Sequence, residues 1–278
     1  MNSLRLRRSA AAIFLLIMAV IAAVPAAAQK AAKPFAPGEQ LTYKAEVSRS
    51  ILKKVDVATF KFYVEQEQNS HGRDPRSAAS LKFVGDVASE GFFTRLFNLK
   101  FHQHIESTVD PESLAVQKTV KLDEQGKRIR TSEATFDRET SKVMWVERDP
   151  NDPNRPERKV SANFSGIIQD VVSAVYYLRT KKLTPGESLE LEISDSGKVF
   201  KVPVRVFEKK QMKTVVGKGN VIRVSPELFG ERGMVNAKGQ FSIWLTDDDR
   251  HIPVKAQLKS DYGTFDITLK QVSQAGQR

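Results

Sequence analysis

The residues best spaced to do chemistry are His102 and His104, two apart in a stretch of alternating polarity. On a strand, residues i and i+2 project to one face, so both imidazoles would reach a common cation, with Glu106 next on that face. Zinc ordinarily takes a third protein ligand and an oriented outer layer of hydrogen bonds, and no spacing here identifies either. The pair reads as polar side chains on the wet face of a strand and only as weak metal candidates. No cofactor is expected.

Other groupings offer less. Asp195-Ser196-Gly197, with His71 upstream, follows the order His, Asp, Ser of one serine-protease lineage. Ser194 and Lys198 stand where glycines would flank the nucleophile, so the string reads as a turn between strands. Asp247, Asp248 and Asp249 follow Trp244-Leu245-Thr246, but adjacent carboxylates diverge, and a calcium loop needs alternate positions and a distal glutamate. Gly-x-Ser-x-Gly, His-Glu-x-x-His and phosphate-cradling loops are missing from the sequence, and no catalytic residue is assigned. Paired acids for glycoside hydrolysis are defined by separation in space, and no string selects them.

Aromatic residues are more suggestive. Phe92, Phe93, Phe97 and Phe101 fall in one stretch, Tyr176 and Tyr177 stand beside Arg179, and Trp244 lies downstream. These eight are the candidate ligand-binding residues for an acyl chain or a sugar, and the alternative is that the rings fill a core.

The elements that would position them are mostly strands. Phe60, Phe62 and Val64 alternate with Lys61 and Tyr63; Val202, Val204 and Val206 with Lys201 and Arg205; Val254, Ala256 and Leu258 with Lys255 and Gln257; and Phe265, Ile267 and Leu269 with Asp266 and Thr268. Such strands bury one face and wet the other, the habit of antiparallel sheets. Gly126-Lys127, Ser196-Gly197, Gly217-Lys218 and Asp261-Tyr262-Gly263 mark hairpin turns. One stretch breaks the pattern: Ile167, Ile168, Val171, Val172, Val175, Tyr176 and Leu178 recur at spacings of three and four, which predicts a helix over about 166–180, capped by Ser165. The expected fold is mainly β, an antiparallel half-open barrel or two sheet halves with that one helix packed against it. Three prolines within Asp149–Pro156 would interrupt a ladder and mark a division near 149–158 of a single domain running 35–272. Residues 29–34 read as a flexible spacer and 273–278 as a tail.

Arg5, Arg7 and Arg8 precede an apolar run, Ala10 to Val24, and the small residues of Pro25-Ala26-Ala27-Ala28, which together read as a secretory signal cut after about Ala28. The run of 15 residues is shorter than the ~20 a spanning helix needs. Cleavage removes three arginines and no acid, so the formal charge falls from +11 to +8 on a 250-residue chain. That excess suits peripheral contact with an anionic membrane surface or glycan better than nucleic acid, which export leaves behind. The chain has no cysteine, hence no disulfide, no thiolate nucleophile and no lipidated cysteine of a lipoprotein.

Asp170 through Arg179 followed by Leu183-Thr184-Pro185-Gly186, with Phe35-Ala36-Pro37-Gly38-Glu39-Gln40-Leu41-Thr42-Tyr43 upstream and Trp244 through Val254 downstream, resembles the exported bacterial family called domain of unknown function 3108. The likeness runs from about Phe35 to Val272, except that Ile51–Ala58 lacks a glycine expected between the first two strands. The resemblance implies a periplasmic or secreted β-rich protein with no established activity and no catalytic residues to carry over. A curved sheet around a helix is also similar in shape to the periplasmic lipoprotein carriers, which shelter acyl chains, although fold does not fix function. The expected role is non-catalytic binding in the cell envelope, of a lipid, a lipid-linked glycan or an envelope protein. The alternatives are a periplasmic hydrolase using an unrecognised carboxylate or the histidine pair, and a structural scaffold acting through sheet edges.

Overall fold

The computed structural model describes residues 33–50, 52–67, 80–90, 100–261 and 263–274. Phe92, Phe93, Phe97 and the signal segment lie outside the described residues. The chain enters the sheet at its middle. Strand β1 (Glu39–Arg49) buries Leu41, Tyr43, Ala45 and Val47 in strict alternation, and its neighbours are β2 (Leu52–Glu67) and the last strand, β15 (Gly263–Gln274).

Short connections keep consecutive strands adjacent, so the chain spreads outward from β1. It passes through β3 (Ser80–Ser89), β4 (Phe101–Val109), β5 (Val116–Gln125), β6 (Arg128–Asp137) and β7 (Lys142–Arg148) to β8 (Arg158–Asn163) at one edge. It then crosses to β9 (Ile168–Gln169) at the other edge and returns through β10 (Ser188–Asp195), β11 (Lys198–Thr214), β12 (Gly217–Pro226), β13 (Gly239–Thr246) and β14 (Pro253–Ser260) to β15. Among the described residues the result is one fifteen-stranded sheet, its ladders antiparallel except where β9 meets β10. It is mainly β and half-open, since among the described residues no ladder joins β8 to β9.

The two ends approach through side chains instead. The turn between β10 and β11 seats Gly197 so closely that a Cβ there would lie 2.8 Å from the Cβ atoms of both Trp145 and Val160, on β7 and β8. The Glu192 carboxylate accepts hydrogen bonds from the backbone N–H of Ser165 (3.0 Å) and Gly166 (2.6 Å), which fixes the crossing between the edges.

Two expectations about boundaries need correction. The proline-rich stretch is the hairpin loop between β7 and β8, whose ladder resumes at Glu147 opposite Arg158, so the passage from one half of the sheet to the other falls at 164–167. The helix is shorter than 166–180: α1 spans Ser173–Arg179. Ile168 and Gln169 pair with Glu192 and Ile193 instead of extending it. Ile167, Ile168, Val171 and Val172 are β-branched, stiff in a helix and well suited to a strand, so the sheet edge captures the first of them. Ser165 does not cap; Asp170 Oδ1 accepts from the N–H groups of Val172 (2.9 Å) and Ser173 (2.8 Å) at the start of the turn.

The helix lies across the inner face and joins its halves. Tyr176 stacks on Phe83 at 4.1 Å and meets Phe35 edge-on at 5.3 Å, while Ala174 and Leu178 pack with Leu191, Val204, Ile222 and Leu245. Gly85 allows the approach, because a Cβ there would stand 2.8 Å from Val172 Cγ2.

Candidate functional site

Strand alternation decides which side chains face inward. Ile105, Ser107 and Val109 of β4 are buried and mark its inner face, so Phe101 and Gln103 share that face while His102, His104 and Glu106 point outward. On the inner face, Phe241, Leu258, Phe265, Val47 and Val55 stand opposite one another in register across β13, β14, β15, β1 and β2. The next row inward is Ile243, Ala256, Ile267, Ala45 and Ala58. Phe60, Val87 and Phe101 pack onto the same cluster. At about 4.8 Å between strands the apolar row runs for roughly 19 Å. Ala45, Ala58 and Val47 are sealed, whereas Phe60, Val87, Phe101, Phe241, Ala256, Leu258 and Phe265 are only partly buried. This is the feature best suited to receive an apolar ligand.

Farther toward β7 the inner face holds a cavity of about 40 Å³, lined by Ile105, Phe136 and Trp145 together with Lys121, Asp170 and Ser194. Space of that size admits a few water molecules at most. Asp170 is already committed there, its Oδ2 accepting from the Thr119 hydroxyl at 2.5 Å.

The other end of the face is shut by a polar cluster at the C-terminal end of α1. Arg179 donates from Nη1 (2.5 Å) and Nη2 (3.1 Å) to the two carboxylate oxygens of Glu39, from Nη2 to the Pro34 carbonyl at 2.7 Å and from Nε to the Arg250 carbonyl at 3.1 Å. His251 Nδ1 donates to the Arg179 carbonyl at 2.9 Å. The guanidinium carbon lies 5.5 Å from the centres of both the Phe35 and the Tyr176 rings.

The histidine pair occupies the outer face in a network of carboxylates. His102 Nε2 lies 2.9 Å and His104 Nδ1 3.1 Å from Asp86 Oδ2, and their other nitrogens meet Glu124 at 2.8 Å and Glu106 at 3.2 Å. Lys82 adds an ion pair to Glu106 at 2.9 Å. The hydrogen bonds to Asp86 and then to Glu124 raise the pKa of His102 above its ordinary value. Burial alone would raise Asp86, but the hydrogen bonds from His102 and His104 outweigh it and hold that carboxyl low. Every imidazole nitrogen of the pair thus faces an acid, and among the described residues no set of three His, Asp or Glu side chains is arranged to hold a metal ion.

The candidate aromatic residues do not converge on one site. Phe101 lies on the inner face with Phe60 and Phe265. Tyr176 and Arg179 are fully buried at 0% and 1% exposure, closed to any ligand by the packing just described. Tyr177 is partly buried, touches the core clusters of both halves and carries Lys181 Nζ 3.6 Å over its ring. Trp244 pairs with Lys255 and Arg223 and so faces away from Ile243, on the outer side of the sheet, with Lys210 and Lys255 over its ring. Asp248 serves its own turn, accepting from the N–H groups of Arg250 and His251. The alternation of Phe60 and Phe265 was visible in the sequence; their meeting in one cluster was not, because register is set by pairing.

Residues 40–270 match the model of a family described as protein of unknown function (DUF3108). The crystal structure of a beta-barrel-like protein of DUF1849 from Brucella abortus is similar at a TM-score of 0.52 and 10% identity, over 85% of this chain and 97% of that one. A DUF1089 family protein from Pseudomonas aeruginosa gives 0.34 at 8% identity, over 74% and 92%. A protein with a YmcC-like fold from Bacteroides fragilis gives 0.34 at 8%, over 87% and 98%. Only the first is close enough for folds to be compared, and it supports the barrel-like sheet. No curated protein matches the chain.

Proposed function

The chain belongs to the DUF3108 family of proteins of unknown function, and from that premise we propose that it is an exported protein of the cell envelope that shelters the apolar part of a lipid or lipid-linked glycan on the inner face of its sheet. The observation that carries this reading is the row of apolar side chains crossing five strands, Phe241, Leu258, Phe265, Val47 and Val55, all but Val47 only partly buried, flanked by Phe60 and Phe101. Apolar surface left partly open along a concave face gains free energy when a ligand covers it, roughly 25 cal/mol for each Å² removed from water. Phe92, Phe93 and Phe97 belong to the same proposal on sequence grounds, and Tyr176 and Arg179 serve it by holding the helix rather than by touching ligand. The arginine-led apolar N-terminus supports export, with the mature chain beginning near Gln29. Among the described residues no helix is long and apolar enough to cross a membrane.

Native mass spectrometry of residues 29–278 recovered gently from periplasm tests the reading. An adduct of lipid or glycolipid mass, lost in a Phe60→Glu or Phe265→Glu variant that keeps its circular dichroism, is the expected result. A bare chain that also fails to take up a fluorescent fatty-acid probe overturns it.

A further inference from the structure

We propose that the hairpin joining β11 and β12 is a docking point for an anionic lipid bilayer. The ribbon outreaches the sheet: β11 and β12 stay paired to Thr214 opposite Gly217, whereas β12 pairs with β13 only from Val221 and β10 leaves β11 at Arg205. The free ribbon ends in Val215 and Val216, exposed at 53% and 40%. Hairpin apices are ordinarily glycine, asparagine or aspartate, so two valines in open solvent serve no purpose of turn formation. Below them Lys209, Lys210, Lys213 and Lys218 form a collar with no acid anywhere in Lys209–Asn220. Lys209 pairs with Asp247 at 2.9 Å, and Lys210 leans over the Trp244 ring at 4.8 Å. Lys213 and Lys218, opposite each other in register, have no acidic partner among the described residues.

An apolar apex above a basic collar matches the two-signal rule for reversible membrane attachment, in which a small inserted apolar group and Coulomb attraction to acidic headgroups together hold what neither holds alone. The charge commits the occupant: a second copy of this basic chain would set lysine against lysine, while an anionic bilayer neutralises the collar. The apolar row of the inner face lies at the other end of these strands, so docking by the tip leaves it uncovered and does not depend on a ligand there.

Flotation of residues 29–278 with vesicles tests the proposal. Binding is expected to vesicles of phosphatidylglycerol and phosphatidylcholine in equal parts, not to phosphatidylcholine alone, and to weaken as salt is raised. Each lysine near such a surface contributes about fivefold in partitioning, so Lys213→Gln with Lys218→Gln is expected to lower binding by roughly 25-fold. Val215→Trp provides an optical reading, a blue shift of emission on the mixed vesicles. Equal binding to neutral vesicles, an unaffected double variant or an unshifted tryptophan overturns the proposal. So does a concentration-dependent dimer, broken by Val215→Ser, in place of vesicle binding.

Discussion

Arg179, the last residue of α1, and Glu39, the first of β1, meet through both carboxylate oxygens at 2.5 and 3.1 Å, with side chains 0% and 5% exposed. The pair ties the helix to the strand at the middle of the sheet, and the Pro34 and Arg250 carbonyls accept two further guanidinium N–H groups. A charge this buried is tolerated only when it is well compensated, and here each of the three guanidinium nitrogens has a partner.

Removing Arg179 leaves Glu39 poorly compensated. Arg179→Met leaves the buried Glu39 carboxylate with the half-exposed Arg250, 3.4 Å away, as its ionic partner, and a loss of up to about 3–5 kcal/mol is expected in urea unfolding. Replacing both, Arg179→Met with Glu39→Leu, removes both desolvation costs and is expected to recover part of that loss. Equal destabilisation by the single and double variants would mean that the carbonyl contacts, and not the ion pair, hold this corner.

Tyr176 makes the opposite case. Its ring stacks on Phe83, but its hydroxyl is buried without a hydrogen-bond partner among the described residues, and burial holds its pKa well above the ordinary tyrosine value. Tyr176→Phe keeps the ring and deletes the orphaned hydroxyl, so stability is expected to rise by up to about 1 kcal/mol, read as a higher melting temperature. Loss of stability would reveal a partner for the hydroxyl, and loss of ligand uptake without loss of stability would return Tyr176 to the binding face.

What could be foreseen from sequence follows from the range of each interaction. Period-two patterns gave strands such as Phe265–Leu269 and their inward residues, because a strand's own alternation reports its burial. Ile168 misled: its spacing to Val171, Val172 and Val175 is helical, and only pairing with Glu192, 24 positions away, makes it a strand. The partnership of Glu39 with Arg179 spans 140 positions and left no mark on either neighbourhood. Trp244 looked like a binding aromatic, and the register that turns it outward is a property of three strands together.

The outer-face histidine predicts a pH dependence. His102 has its pKa raised by Asp86 and Glu124, so its contribution to stability is fully present below the unfolded value near 6.5 and is lost as pH rises through the higher folded value. Asp86 and Glu106 are held low, Glu106 first by its hydrogen bond with Lys82, and contribute above their unfolded values and lose that contribution as pH falls. The network is therefore expected to be strongest in mildly acidic solution. A thermal-melt series across pH should show a decline on the alkaline side that His102→Gln flattens, and the imidazole resonances of His102 should titrate above 6.5. A His102 that titrates at or below the ordinary value would break the assignment.

The sheet is half-open, and the contact of Gly197 with Trp145 and Val160 decides whether its free edge is held. Gly197 has φ of +77° and its missing Cβ leaves room that two neighbouring Cβ atoms, each 2.8 Å away, would contest. Gly126 also sits at positive φ, +60°, but a Cβ there meets nothing within 4 Å. Gly126→Ala therefore isolates the cost of backbone strain, about 1–3 kcal/mol. Gly197→Ala adds a clash, worth typically another 1–3 kcal/mol, that pushes the β10–β11 turn away from β7 and β8. Hydrogen exchange separates the two effects, because among the described residues the outer edge of β8 has no strand beside it and its side chains depend on the turn for cover. Gly197→Ala is expected to speed exchange in β7 and β8 beyond the global effect seen with Gly126→Ala. Identical exchange in the two variants would show that the ends of the sheet stand without support from each other.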